Sequence, residues 1–165
     1  MSILIIDDEE IILRTLAAVF TKKGMDAVTE SDPRRAIDEY ENRPHNVVLV
    51  DVLMPGIPGA RVIREIKDMN PLCNVIVMTA FSNMQHVVEC IEAGAMDYIT
   101  KPFTDMGLVT DIVAAAQERV KRWSHSFGID VDGGVVGPVK RGVNGSRAER
   151  GRETGTVSSG ETSHE

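Results

Sequence analysis

Val47-Val48-Leu49-Val50-Asp51-Val52-Leu53-Met54-Pro55-Gly56 is the stretch on which the fold turns. Its first four residues are apolar without interruption and mostly β-branched, the pattern of a strand covered on both faces in a parallel sheet. An aspartate closes the run, and Pro55-Gly56 then turns the chain. The same arrangement recurs on either side: Ile3-Leu4-Ile5-Ile6 runs into Asp7-Asp8, and Val75-Ile76-Val77-Met78 runs into Thr79. Weaker strands are predicted over Asp26–Glu30 and Tyr98–Thr100, the second running into Lys101-Pro102. Between the strands, apolar residues fall at helical spacing: Ile12, Leu16, Val19 and Phe20; Ala36, Ile37 and Tyr40; Val62, Ile63, Ile66 and Met69; Met84, Val87, Val88 and Ile91. Gly24 and Gly94 stand where helices end, and Asp32-Pro33 offers an N-cap followed by proline at the first helical position. With a last helix around Leu108–Arg122, the chain reads as five β-α repeats, which close into an open parallel sheet with helices on both faces.

Composition places a boundary within the 165 residues. Residues 1–123 have the apolar content of an ordinary core, whereas residues 124–165 are rich in Gly, Ser and Thr, their few apolar residues being mostly single valines. Such a tail buries too little apolar area to offset roughly 1–2 kcal/mol of backbone entropy per residue, so it is expected to be disordered. A net charge of −7 gives the chain no general attraction for nucleic acid or anionic membrane, so neither is expected as a partner. Apolar runs far shorter than the roughly 20 residues of a membrane span, no export signal at the start, and two isolated cysteines, Cys73 and Cys90, point to a cytoplasmic protein with reduced core thiols.

Open parallel sheets bind ligands beyond the carboxyl ends of their strands. Those ends carry Asp7-Asp8, Asp51, Thr79 and Lys101, so one rim is expected to gather three carboxylates, a hydroxyl and an ammonium. Crowded carboxylates repel one another, and a hard divalent cation such as Mg²⁺ relieves the repulsion through oxygen ligands. A carboxylate beside such a cation is a competent nucleophile towards phosphorus, with Lys101 and Thr79 available for the phosphoryl oxygens. Singly, Asp7-Asp8 reads as a helix N-cap region, Asp51 as the cap of a turn, Thr79 as a strand residue and Lys101 as a solvated lysine. Their arrival together at four strand ends favours a phosphoryl-transfer site.

Asp7-Asp8, Asp51-Val52-Leu53-Met54-Pro55-Gly56, Thr79-Ala80 and Tyr98-Ile99-Thr100-Lys101-Pro102-Phe103, in this order and spacing, closely resemble the receiver domain of two-component response regulators over about residues 2–122. The resemblance implies a flavodoxin-like fold and a phosphoacceptor at Asp51, served by a histidine kinase or histidine phosphotransferase. It implies Mg²⁺ held by Asp8, Asp51 and the backbone carbonyl of Leu53, with Asp7 acting through water. Thr79 and Lys101 would contact the phosphoryl oxygens, and Tyr98 would be an aromatic switch on a face that meets a downstream protein. The run from Gly94 to Phe103 looks most like receivers that precede transcriptional ATPase modules, yet no phosphate-binding loop of that kind occurs in the chain, so a stand-alone regulator is expected, catalysing only its own phosphorylation and dephosphorylation.

Two other readings compete with this one. An Asp-nucleophile phosphohydrolase usually has a second acid two residues beyond the nucleophile, where this chain has Leu53. A non-phosphorylated receiver-like interaction module can dispense with the acceptor or the acid pair, which are present here. Leu53, and Phe81 two residues beyond Thr79, are apolar at positions where polar groups would help to place an attacking water, so a long-lived acyl phosphate is expected. His45, His86, His125 and His164 show no metal-ligand spacing and read as solvent or capping residues.

Overall fold

A computed structural model describes residues 2–80 and 84–127. The elements alternate without exception: β1 (Ser2–Ile6), α1 (Glu10–Lys22), β2 (Asp26–Glu30), α2 (Pro33–Asn42), β3 (Val47–Asp51), α3 (Gly59–Met69), β4 (Asn74–Thr79), α4 (Met84–Glu92), β5 (Asp97–Thr100) and α5 (Met106–Phe127). The strands form one parallel sheet in the order β2-β1-β3-β4-β5. This is the flavodoxin-like doubly wound arrangement, whose switch point lies between β1 and β3.

The unbroken apolar runs arise because each central strand serves two cores. Leu4, Ile6, Val48, Val50, Val75 and Val77 face one side, against Ala36 and Tyr40 of α2, Val62, Ile63 and Ile66 of α3, and Cys90 of α4. Ile3, Ile5, Val47, Leu49, Ile76 and Met78 face the other, against Leu13, Leu16 and Phe20 of α1 and Val109, Val113 and Ala116 of α5. Period-two alternation within each strand thus divides one apolar run between two layers of helices. Cys73 and Cys90 are buried free thiols.

The predicted punctuation is present. Asp32 accepts a hydrogen bond from the Arg34 N–H at 2.8 Å, with Pro33 opening α2. Gly24 and Gly94 have φ values of 73° and 110°, conformations that L-side chains rarely adopt, and each ends a helix. Three element ends differ from expectation. β5 begins at Asp97, one residue early, and α5 spans Met106–Phe127, starting two residues before the expected Leu108 and ending five past the expected Arg122. The extension contains the buried Ser124, whose hydroxyl donates to the Val120 carbonyl at 2.8 Å. The remainder of the Gly/Ser/Thr-rich segment, residues 128–165, lies outside the described residues, as does His164.

His45 corrects an expectation. It is fully buried, not a solvent or capping residue. The Tyr40 hydroxyl donates to the His45 carbonyl at 3.1 Å, and Glu39 lies 3.7 Å from its Nε2. Burial, reinforced by the charge of Arg43, lowers the pKa of this imidazole below its ordinary value, and Glu39 and Asp26 only partly oppose the shift. The unfolded chain therefore binds the proton more readily, and His45 lends stability above its unfolded pKa of about 6.5 that is lost as pH falls toward the depressed folded value. In urea titrations from pH 7 to pH 5, wild type should lose stability more steeply than His45→Gln, by up to about 1.4 kcal/mol per pH unit. Parallel curves would show that His45 is not held neutral.

Candidate phosphoryl-transfer site

Parallel register brings the predicted chemistry to one rim. Asp7 follows β1 directly, Asp51 ends β3, Thr79 ends β4 and Lys101 follows β5; Asp51 pairs with Met78 and Thr79 with Thr100. Asp7, Asp51 and Thr79 are buried, and Asp8 is exposed above them. One carboxylate oxygen from each of Asp7, Asp8 and Asp51 lies within 4.8 Å of the others. Lys101 reaches in from β5, its Nζ 2.7 Å from Asp7 Oδ2 and 3.3 Å from Asp51 Oδ2. Asp8, Asp51 and Lys101 border a cleft of about 260 Å³ whose walls include Leu53, Thr79 and Ala80.

The electrostatics follow from burial in a place short of positive charge. Desolvation raises the pKa of both Asp7 and Asp51, while Lys101 opposes the shift in each. Burial alone would lower the Lys101 pKa, but its hydrogen bond to Asp7 and the charges of Asp51 and Asp7 outweigh burial and raise it. One ammonium thus faces three clustered carboxylates. Small, all-oxygen and partly open to solvent, this set fits a hard divalent cation with room for water in its shell. Among the described residues, no other group of His, Cys, Asp and Glu forms such a cluster.

Close backbone packing keeps Asp51 in place. Gly59 opens α3 directly beneath the end of β3, its N–H donating to the Val52 carbonyl at 3.2 Å. A Cβ at Gly59 would collide with the Asp51 carbonyl oxygen and press on Val52, all of it backbone. Gly59→Ala should therefore cost about 1–3 kcal/mol and shift the amide resonances of Asp51 and Val52. Wild-type stability with unmoved resonances would show that α3 can withdraw freely.

Leu53 is half exposed at the cleft, and its backbone hydrogen-bonds the Asp51 carboxylate. Phe81 lies outside the described residues. Tyr98 is half exposed on β5, away from the acids, between a groove bordered by Val87 and Ile91 of α4 and another bordered by Phe103 and Leu108. Sequence reasoning overlooked Glu9, whose Oε1 lies 3.2 Å from Lys101 Nζ. The available signal was a glutamate at a helix N-cap, where shorter polar side chains are preferred.

Residues 3–113 match the model of the response regulator receiver domain. The chain belongs to the receiver domain family. It is 34% identical over 102 residues to the chemotaxis protein CheY of Thermotoga maritima, covering 61% of this chain and 85% of that one. It is 35% identical over 120 residues to a cyclic di-GMP phosphodiesterase of the same organism, covering 73% of this chain but 32% of that protein. Among solved structures, NtrX from Brucella abortus superposes with a TM-score of 0.72 at 26% identity, covering 78% of this chain and 30% of NtrX. The chain thus spans about a third of two of these three relatives, and the part it shares with them is the receiver. Phosphorylation and Mg²⁺ binding are typical of receivers, and no described helix of this one is long and apolar enough to cross a membrane.

Proposed function

We propose that this receiver takes a phosphoryl group onto Asp51 from the phosphohistidine of a histidine kinase or histidine phosphotransferase and converts it into a change of surface around Tyr98. The observation that supports this most strongly is the Asp51 carboxylate at the end of β3, open to the cleft and flanked by Lys101, Asp7 and Asp8. An Asp51 oxygen attacks phosphorus in line with the P–N bond of the donor. The new O–P bond forms as the P–N bond breaks, and the electron pair of that bond returns to the imidazole. The Lys101 ammonium and the Thr79 hydroxyl take the phosphoryl oxygens that point into the cleft. Asp8, Asp51 and the Leu53 carbonyl, with Asp7 through water, would hold Mg²⁺, which when bound would supply charge neutralisation at those oxygens. Thr79, drawn toward the phosphoryl group, alters the space beside β5, and the Tyr98 ring redistributes between its two grooves.

The receiver catalyses only its own phosphorylation and slow dephosphorylation in this reading, and it works in the cytoplasm. Leu53, two residues beyond Asp51, lacks the acid that a phosphohydrolase needs there. Incubating the full chain with phosphoramidate and Mg²⁺, and following mass and released phosphate together, tests the proposal. A stable gain of one phosphoryl group is expected. Continuous phosphate release would instead mark a hydrolase, and an unchanged mass an interaction module.

A further inference from the structure

Glu9 occupies the N-cap of α1 with extended backbone angles (φ −88°, ψ 99°), yet its side chain makes no bond to the helix it caps. Side chains at this position ordinarily fold back onto the first free N–H groups of the helix. Here the Glu9 carbonyl accepts from Ile12 and Leu13, while the carboxylate leaves the helix and accepts from Lys101, 92 residues away. Asp7 completes the arrangement: its Oδ1 accepts from the Glu9 N–H at 3.0 Å, and its Oδ2 lies 2.7 Å from the same Lys101. One ammonium is therefore held from two sides, by a fully buried carboxylate and by one whose side chain is 56% exposed at the mouth of the cleft.

We propose that Glu9 is a positioning residue: its carboxylate holds Lys101 at the mouth of the acid pocket in the unphosphorylated protein, so that an incoming phosphoryl group must draw the ammonium away from it. This inference rests on the phosphoryl-transfer reading of Asp51. Glu9 competes with the phosphoryl oxygens for Lys101 and also repels an anionic donor at the entrance. Glu9→Gln keeps the shape and removes the competition. At saturating Mg²⁺ the variant should acquire the phosphoryl group about threefold faster than wild type, a size suited to a partly exposed ion pair. Because salt screens such a pair, the gap should narrow as ionic strength rises. Glu10→Gln is the control, since it removes the same charge one residue along α1 from a side chain that pairs with Arg14 instead.

The experiment measures phosphoramidate labelling of the full chain by mass, at low and high salt, for wild type, Glu9→Gln and Glu10→Gln, together with the ¹⁵N resonance of Lys101 Nζ in metal-free buffer. Faster, salt-sensitive labelling and a shifted Nζ resonance for Glu9→Gln alone are expected. Labelling of Glu9→Gln at the wild-type rate, or equal acceleration by Glu10→Gln, would overturn the positioning role while leaving Asp51 as acceptor. A wild-type protein that takes no phosphoryl group would overturn the phosphoryl-transfer reading and this proposal with it.

Discussion

Asp51→Ala should abolish phosphoryl acceptance while leaving the fold intact. The expected loss is complete, because Asp7 lies beneath the cleft in contact with Lys101 and Asp8 ends no strand, so neither can present an oxygen from the acceptor's position. Stability should equal or exceed that of wild type. The substitution removes a carboxylate that burial already disfavours, and Asp7 still partners Lys101 at 2.7 Å. Mass spectrometry after phosphoramidate treatment, paired with a urea titration, separates the two effects. Labelling undiminished in a folded Asp51→Ala protein would place the acceptor elsewhere.

Lys101→Met carries the largest expected effect on stability. The Lys101 side chain is only 9% exposed and stands between the Asp7 and Asp51 carboxylates. Methionine keeps much of the volume but leaves two buried acids facing each other without a counter-charge. Loss of one partner from a buried ion pair costs about 3–5 kcal/mol, and the lower end applies here because the cleft admits water. We expect a loss of about 3 kcal/mol in metal-free buffer. Mg²⁺ should restore part of it, since ligand binding to the folded state adds stability by mass action. Unfolding curves with and without Mg²⁺ measure both quantities, and a variant as stable as wild type under both conditions would mean that Lys101 is not the counter-ion of the pocket. Labelling should also fall, as the phosphoryl oxygens lose their cation.

What could be read in the chain depended on whether the physics was local. β1, β3 and β4 were legible because a strand buried on both faces leaves an unbroken apolar run, and their carboxyl ends were legible because parallel topology sends all of them to one rim. Asp7, Asp51, Thr79 and Lys101 therefore came together as expected. His45 was not legible, since its burial comes from the packing of α2 over the entry to β3 and a polar residue gives no apolar signal. The end of α5 was obscured by Ser124, His125 and Ser126, which resemble the polar segment that follows. The helix nevertheless continues, with Ser124 and Ser126 hydroxyls donating back to the carbonyls of Val120 and Arg122. Glu9 was hidden for another reason: its partner is 92 residues away, and only the assembled sheet brings them together.

The phosphoacceptor itself is the central claim, and an acyl phosphate can be located by trapping it. Borohydride reduction of the labelled protein converts a phosphorylated aspartate to homoserine, which peptide mass mapping then assigns to a position. Homoserine at residue 51 and at no other aspartate is the predicted result, dependent on Mg²⁺ and absent from protein not treated with donor. Homoserine at Asp7 or Asp8 instead, or none in protein shown to carry the phosphoryl group, would contradict the account.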